Sequence, residues 1–231
     1  KERLMQLNDR LTGSRFLRGV NCVGGMAIDV TAVQLEQVEM ELGCIEQEFA
    51  AIEKILFANA SLTERLENTG VLTERIAWDH AAIGVVGRAS GIDRDIRRDR
   101  PFAAYDEVQP KVALYRYGDV RARMRVRLDE VHEAMRLIRE FRRRLPMGPL
   151  TAQSTSRPWS SQWAVSAVEG WRGEILYVVM AGEEGRIHRC KVRDPSFVNW
   201  PAIQWAALGN IVPDFPLINK SFNLSYAGND L

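Results

Sequence analysis

The run Ser221–Leu231, SFNLSYAGNDL, sets several chemically capable side chains within a few residues of one another. Asn223 carries an amide, Ser225 and Tyr226 carry hydroxyls, and Asp230 carries a carboxylate. Together they supply donors and acceptors for a polar ligand head or for ordered water. The segment just before it, NIVPDFPLINK, is too apolar to be left in water, so the polar run is expected to fold onto the body of the protein. A second concentration is GRASGIDRDIRR, where Arg88, Asp95, Arg97 and Arg98 crowd together. Asp95 with either following arginine suits a buried ion pair that holds a loop, a structural role in preference to a chemical one. Metal chemistry finds little to work with. His80, His132 and His188 are isolated, and Cys22, Cys44 and Cys190 are scattered, with no Cys-x-x-Cys pair. The thiols are expected to be small buried hydrophobes in a reducing compartment. Gly24–Gly25 lacks the strand–turn–helix context of a nucleotide-binding loop.

Composition narrows the classes further. The 231 residues hold 31 basic and 30 acidic side chains, a formal charge of +1, so nothing drives the chain as a whole toward nucleic acid or an anionic membrane. A hydrophobic fraction of 46% is enough for a packed core. No apolar run approaches the ~20 residues that span a bilayer, and no signal peptide is evident.

The elements that must position these groups are mainly helical. A first helical phrase, KERLMQLNDRL, leads into a glycine-punctuated loop. Thr31–Ala58 then has apolar residues at three- and four-residue steps, from Val33 to Leu56, with Asp29 or Thr31 to cap its first turn. Short helical pieces are expected around Thr63–Glu67 and Glu74–Ala82, followed by an ordered loop carrying Ile96, Phe102 and Tyr105. Asp119–Leu145 carries Met124, Leu128, Val131, Met135, Ile138, Phe141 and Leu145 as one stripe, expected to face inward with the interleaved arginines outward. Pro146, Gly148 and Pro149 stop that helix. Thr151–Gln162 has the composition of a flexible or variable insertion. The period then changes to two in WAVSAV, EILYVVMA and RIHRCKVR, with GEEG joining the last pair as a hairpin. SFVNWPAIQWAALGN returns to helical spacing. The fold class is therefore mainly α (α+β), with a small antiparallel sheet near the C-terminus: residues 1–150 mainly helical, 151–193 the sheet, and 194–231 a helix and the polar terminal run.

Several separated phrases resemble one family in order along most of residues 1–231. They are TGSRFLRG with its later GG, GRASGIDRDIRRDRPFAAYDEV, the helix ending in LPMGPL, the EGWRGE hairpin, and KVRDPSFVNWPA. They resemble the large subunit shared by respiratory complex I and membrane-bound nickel–iron hydrogenases, with hydrogenase-4 and formate hydrogenlyase large subunits nearest in flavour. The resemblance implies a hydrogenase large-subunit-like helical core, of which residues 1–231 are the C-terminal part, so both ends are expected to be boundaries within a longer chain. The portion before Lys1 would carry the first pair of nickel-binding cysteines in hydrogenases, or the quinone-contacting His and Tyr in complex I relatives.

In nickel-bearing relatives the terminal run resembles Ser-x-Asp-Pro-Cys-x-x-Cys. Here Ser225 and Gly228 stand at the cysteine positions and Asn223 at the aspartate position. A hydroxyl and a hydrogen cannot replace soft thiolates, so this chain is not expected to be a hydrogenase or to bind metal or cofactor itself. Arg172, in EGWRGE, matches the arginine that overhangs the metal pocket in hydrogenases; Glu169 and Glu174 flank it as candidate partners. The resemblance makes Arg172, Asn223, Ser225, Tyr226 and Asp230 the candidates for a pocket that meets a quinone-like acceptor. Two uses remain open for them, ligand contact or simply filling the space. The implied role is a subunit of an NADH:quinone-oxidoreductase-like or hydrogenase-related complex, peripheral to the cytoplasmic membrane. Its implied partners are an iron–sulfur small subunit that supplies the cluster, membrane-arm subunits and other soluble oxidoreductase subunits. A non-catalytic coupling subunit is the alternative, and a hydrogenase or formate hydrogenlyase with altered ligands a more distant one. Family descriptions also attach NAD binding to such subunits, although in complex I the NADH site belongs to another subunit.

Overall fold

The computed structural model describes residues 1–146, 148–152, 162–183 and 186–230. Its contacts divide into two units, Lys1–Ile55 with Met135–Arg157, and Leu56–Ala134 with Pro158–Leu231.

The first unit holds α1 (Glu2–Thr12), the two-residue strands β1 (Asn21–Cys22) and β2 (Gly25–Met26), most of α2 (Ala32–Ala58), and the end of α8 (Val120–Arg144). Thr31 and Gln34 start α2 with a reciprocal cap: the Thr31 amide donates to Gln34 Oε1 (2.9 Å) and the Gln34 amide to Thr31 Oγ1 (3.3 Å). Leu7, Leu42, Met135 and Leu137 are its buried apolar residues. Around them run ion pairs, Arg3 with Glu48 (2.5 Å), Arg10 with Glu41 (2.9 Å), and Arg139 with both Glu39 (2.8 Å) and Glu46 (2.7 Å). These lie near the surface, where each adds little to stability.

The second unit holds the short helices α3 (Ala60–Leu66), α4 (Glu74–Asp79), α5 (Gly84–Ala89), α6 (Ile96–Asp99) and α7 (Tyr105–Val108), and the first half of α8. It also holds a three-stranded antiparallel sheet, β3 (Trp163–Gly170), β4 (Gly173–Ala181) and β5 (Ile187–Arg193), and the helices α9 (Pro195–Ala207), α10 (Phe215–Phe222) and α11 (Tyr226–Asn229). Caps set the starts of several: Asn59 for α3, Thr73 for α4, Asp95 for α6, Asp194 for α9 and Ser225 for α11. The core joins Leu66, Leu72, Val86, Ile92 and Val120 to Ile203, Ile218 and Phe222. Val85, Ala89, Ala122 and Val126 form a second cluster. Asn199 of α9, fully buried, both accepts from the Ile83 amide and donates to the Ile83 carbonyl (3.1 Å each), which fixes the start of α5.

Three expectations are corrected. The Met124–Leu145 stripe faces inward only in part: Met135 is buried and Met124 packs on the core, but Ile138 and Leu145 are exposed, and Ala122, Arg123, Val126, Glu133 and Leu137 are buried off the stripe. The face is rotated because small Ala122 and Val126 let α5 approach, and because carbonyl oxygens are available to Arg123, so arginine is not a marker of solvent here. The cysteines are all exposed. Cys44 lies two residues, about 200° of helix, from buried Leu42, and Cys190 sits on β5, whose outer half has water on both faces. GRASGIDRDIRRDRPFAAYDEV is ordered but not a loop throughout, since α6 and α7 lie in it. Most of Thr151–Gln162, part of GEEG, and Met147 of LPMGPL lie outside the described residues.

The phrase containing Arg88 and Asp95 builds a buried ionic network. Arg88 Nη1 donates to Glu169 Oε1 (2.9 Å) and to the Arg94 carbonyl (3.1 Å), lies 3.4 Å from Asp95 Oδ2, and its other Nη pairs with Glu130. Arg97 grips Asp95 with both Nε (2.9 Å) and Nη2 (2.5 Å). Glu169 accepts in addition from the Ile96 amide (3.1 Å). Burial opposes the charge on Arg88, but Glu130, Glu169 and Asp95 outweigh it and hold the guanidinium above its ordinary value. Asp95 is likewise held below the usual carboxylate range, burial being overcome by Arg97 and Arg88. Glu169, with two guanidiniums serving three carboxylates, is pushed up by burial. Arg98 stands apart, on Asp93 (2.7 Å) and Asp99 (2.8 Å) at the surface.

Two outcomes follow for stability. Met135→Ala should cost about 2–4 kcal/mol in urea denaturation, and Ile138→Ala, at an exposed position of the same helix, under about 1 kcal/mol. Asp95→Asn breaks one partner of a buried network and should cost about 3 kcal/mol at neutral pH. Because the Asp95 pKa is depressed in the folded state, its contribution is present above the unfolded value and lost as pH falls through the folded one. Denaturation curves of wild type and Asp95→Asn should therefore stay apart down to about pH 4, then converge. A gap that narrows near neutrality would refute the assignment.

Candidate functional site

The turn between β3 and β4 has only Trp171 and Arg172 between the paired glycines Gly170 and Gly173. This tip lies against the start of α5 at backbone distance. Gly84 has φ +62°, and a Cβ there would meet the Arg172 carbonyl oxygen at 2.0 Å, so no side chain fits between them. Arg172 is thereby aimed at the other side of the turn. Its Nε donates to the Asn223 carbonyl at 2.6 Å, and its guanidinium stacks on Trp171, 4.1 Å from the ring centroid.

Asn223 is the residue that ends α10. It takes a left-handed conformation (φ 54°, ψ 45°), which asparagine tolerates better than most residues, and its amide closes on the Asn219 carbonyl (3.1 Å). Two further arginines, both from α8, meet the same helix end. Arg127 donates to the Phe222 carbonyl (3.2 Å) and to the Arg123 carbonyl (3.2 Å). Arg123 donates to Ser221 Oγ (2.8 Å), the Gly118 carbonyl (2.6 Å) and the Gly70 carbonyl (2.8 Å), with its guanidinium 4.5 Å from the Phe222 ring centroid. Cations at a helix C-terminus complement its partial negative charge. Burial nevertheless pushes Arg123 down to about 9, with Asp119 opposing and Arg127 adding to the effect. Burial pushes Arg127 down to about 10, Glu130 opposing and Arg172 adding. Both remain charged at neutral pH.

The structure thus brings Arg172 onto the terminal run, at Asn223, through a backbone oxygen rather than the Asn223 amide group. Glu169 and Glu174 do not partner Arg172: Glu169 turns to Arg88, and Glu174 pairs with Arg193. Glu169 precedes the turn by one residue and points into the buried network instead. Ser225 caps α11, its Oγ accepting from the Gly228 amide (3.0 Å), while its amide donates to Ser196 Oγ (3.0 Å) and its carbonyl accepts from Trp200 Nε1 (3.3 Å). Tyr226 and Asp230 lie at the surface of the described residues. Tyr226 is 71% exposed and stacks on Trp200 (5.3 Å between centroids), and Asp230 ends α11 at the surface. The single helical turn Tyr226–Asn229 carries both outward. Among the pocket candidates, then, Arg172 and Asn223 meet, Ser225 is engaged in capping, and Tyr226 and Asp230 are apart from them.

Gly228, the second position where the resemblance places a cysteine, is buried against Asp194. A Cβ there would fall 2.6 Å from the Asp194 carboxyl carbon and 2.8–2.9 Å from its oxygens. Asp194 is itself fixed by capping α9 through the Ser196 amide (2.8 Å). The residues present therefore do not fit a nickel site: one position is a capping hydroxyl, and the other has no room for a side chain. Among the described residues no group of three or more His, Cys, Asp or Glu is placed to hold a metal ion.

Arg123 and Arg127 belong to this corner, although the apolar periodicity of α8 places them among the outward arginines. The sequence gives only a weak signal, since Arg121/Arg125 and Arg139/Arg143 share the same spacing. Like charges at i and i+4 repel on a solvated helix face, so the pair argues for a face with other business. A separate cavity of about 490 Å³, lined by Glu67, Tyr115, Tyr117, Asp119, Arg121 and Arg125 among others, lies elsewhere in this unit.

Comparison with known proteins places the fold in a family. The family model described as respiratory-chain NADH dehydrogenase, 49 Kd subunit, matches residues 1–167 and 159–230. Formate hydrogenlyase subunit 5 of Escherichia coli is 30% identical over the whole chain, which covers 40% of that protein. An NADH-quinone oxidoreductase subunit of Chloroherpeton thalassium is 29% identical, with 96% of this chain and 57% of that protein covered. The carbon monoxide-induced hydrogenase of Rhodospirillum rubrum is 30% identical, with 96% of this chain and 62% of that protein covered. The chain thus spans 40–62% of the length of these relatives. A chain in the structure of the membrane-bound sulfane sulfur reductase, an archaeal respiratory membrane complex, superposes with a TM-score of 0.91 at 25% identity, covering all of this chain and 64% of that one. With the family model matching nearly every residue, the chain belongs to the family of the 49 Kd subunit of respiratory-chain NADH dehydrogenase.

Proposed function

We propose that this chain is part of a subunit of a membrane-attached oxidoreductase complex, related to NADH:quinone oxidoreductases and energy-converting hydrogenases, and that it works without nickel. One observation carries the nickel-free reading: Gly228 packs on Asp194 with no space for a thiolate, and Ser225 uses its hydroxyl to cap Gly228. In this reading the chain lies beside an iron–sulfur subunit that supplies the cluster, and its Arg172–Asn223 corner borders a pocket for a quinone-like acceptor. A guanidinium with unused N–H groups at the edge of such a pocket would donate to a quinone carbonyl. Membrane-arm and other soluble oxidoreductase subunits would complete the assembly, with this chain peripheral to the cytoplasmic membrane. No helix among the described residues is long and apolar enough to cross one.

Exposed apolar side chains support an assembled state. Phe197, Trp205, Leu208, Ile211, Val212 and Phe215 are all exposed, from α9 through the segment after it to the start of α10, the kind of apolar surface that a partner subunit covers. A second reading, a non-catalytic coupling subunit, is favoured by a different observation. Ser225 is occupied by capping, so fewer polar groups remain to receive a ligand.

The two readings separate in the complex purified from its host membrane. Elemental analysis should find nickel far below one atom per copy of this chain; stoichiometric nickel would overturn the nickel-free reading. Titration with a soluble ubiquinone analogue should saturate, and Arg172→Ala should weaken that binding at least about tenfold, roughly 1.4 kcal/mol. Absence of saturable binding would favour the coupling role. Gly228→Cys should lower the melting temperature, because its Cβ meets Asp194, and should recruit no nickel.

A further inference from the structure

The arginines at the end of α10 lack what the other buried arginine has. Arg88 is surrounded by Asp95, Glu130 and Glu169 within salt-bridge distance. Arg123, Arg127 and Arg172 make no ion pair among the described residues, and every oxygen they bond is a backbone carbonyl or the Ser221 hydroxyl. Arg127 Nε is buried with no acceptor, and the hydrogen bond from Arg172 uses Nε alone, leaving both its Nη groups without a protein acceptor among the described residues. Carbonyl oxygens satisfy N–H geometry but bring no formal charge. The adjoining network has one carboxylate in excess, which offsets one positive charge of the three.

We propose that Arg172, with the charge of Arg127 beside it, receives an oxyanion at the end of α10, a carboxylate or a phosphate-like group bound by the Arg172 Nη donors that face no acceptor in the fold. The acceptors that the two side chains use are carbonyls of consecutive residues, Phe222 and Asn223, so the guanidiniums stand next to each other. Neither side chain is wholly buried, so a group arriving from outside can reach the Arg172 Nη groups, while Arg127, whose Nε is buried, acts on it through its charge. The planar donor fork of arginine matches two oxygens of one anion, and such charge-assisted bonds are the strong ones. An arriving anion would also offset the repulsion from Arg172 that adds to the effect of burial on Arg127. This inference goes beyond the pocket reading and does not rest on it. The charge imbalance holds whether or not a quinone ever binds. Two sources can supply the same chemistry, a small dissolved anion or an acidic side chain of an adjoining subunit.

The test uses the full chain with inorganic phosphate as the probe, titrated against chloride at fixed ionic strength. Phosphate should raise the melting temperature saturably, as a ligand of the native state must, and should move the Arg127 Nε–H resonance in a protein labelled with 15N-arginine along the same curve. Arg172→Gln should weaken the phosphate response at least about tenfold, while Arg172→Lys should retain part of it. A linear response without saturation, or a saturable one unchanged in Arg172→Gln, would overturn the proposal. If Arg172→Gln fails to fold, the wild-type Arg127 resonance decides alone: no saturable movement refutes the site. Repeating the titration on the purified complex separates the sources. A response kept there indicates a dissolved anion, and a response abolished there indicates a carboxylate supplied by a neighbouring subunit.

Discussion

A single buried guanidinium ties the second unit together. Arg123 is fully buried and its donors reach the turn at Gly70, the turn at Gly118 that precedes α8, and Ser221 near the end of α10, segments far apart in the chain. Desolvating such a charge costs several kcal/mol unless its hydrogen bonds are replaced, so those carbonyls must be presented where they are. That requirement fixes the relative placement of α8 and α10, and Phe222 completes it by lying under the guanidinium. Ile218 and Phe222 then enter the core as a consequence, on the same face of α10. The end of α10 is held from α8, and the hairpin tip reaches it from the sheet side through Arg172.

Much of this is legible in the sequence, and the places where it is not have physical reasons. The period change after Gln162 locates the sheet, because strands with a two-residue repeat admit few alternatives. The NWPAIQ helix and the polar turn at the end are equally plain from spacing and caps. The stripe on α8 misleads because an apolar stripe is a guide only where hydrophobic burial decides orientation. Here small residues at Ala122 and Val126 and carbonyl acceptors for Arg123 decide it. Composition gives no hint of where those carbonyls will be, since they belong to Gly70 and Gly118. The cysteines mislead for a related reason. A thiol is usually buried when a core is near, but β5 has little core behind its outer half. For the candidate site, the sequence marks Arg172 and the terminal run, while their actual link, a carbonyl at a left-handed residue, depends on backbone geometry that no side-chain pattern encodes.

The charges are arranged with a consistent polarity. The tip of the β3–β4 hairpin separates them: Glu169 just before the turn belongs to the carboxylate-rich network around Arg88, and Arg172 within it belongs to the arginine cluster. On α8, Glu130 and Arg127 lie three residues apart and divide the same way, Glu130 pairing with Arg88 and Arg127 with the end of α10. Two elements thus each carry one member of both groups, so a shift of either the hairpin or the helix would move a positive and a negative charge together. Glu130 is the residue through which the groups feel each other, since it pairs with Arg88 while its field supports the charge on Arg127. A change of protonation at Glu169, whose pKa burial raises, would alter the field at that point.

On the nickel-free reading, the polar terminal run holds its shape without the metal cross-link that the resemblance assigns to its cysteine positions. Two thiolates on one ion would clamp the turn directly. Here the turn is secured by distributed contacts: the Ser225 cap on Gly228, the Ser196 hydroxyl on the Ser225 amide, Trp200 on the Ser225 carbonyl, and Arg172 on Asn223. Each of these contributes about 1 kcal/mol, the charged one more, and all four converge on the short segment Asn223–Gly228. Three of them anchor the turn to α9 or to itself, and only the fourth reaches the hairpin. Serine and glycine at the cysteine positions therefore do not loosen this corner but change what it depends on. The place of the second cysteine is set by α9 through Asp194 and Ser196, and the arginine that would overhang a metal binds the chain itself. On the nickel-free reading, such a corner keeps a cationic edge while the redox centre lies elsewhere, so an electron passing here would come from a neighbouring subunit.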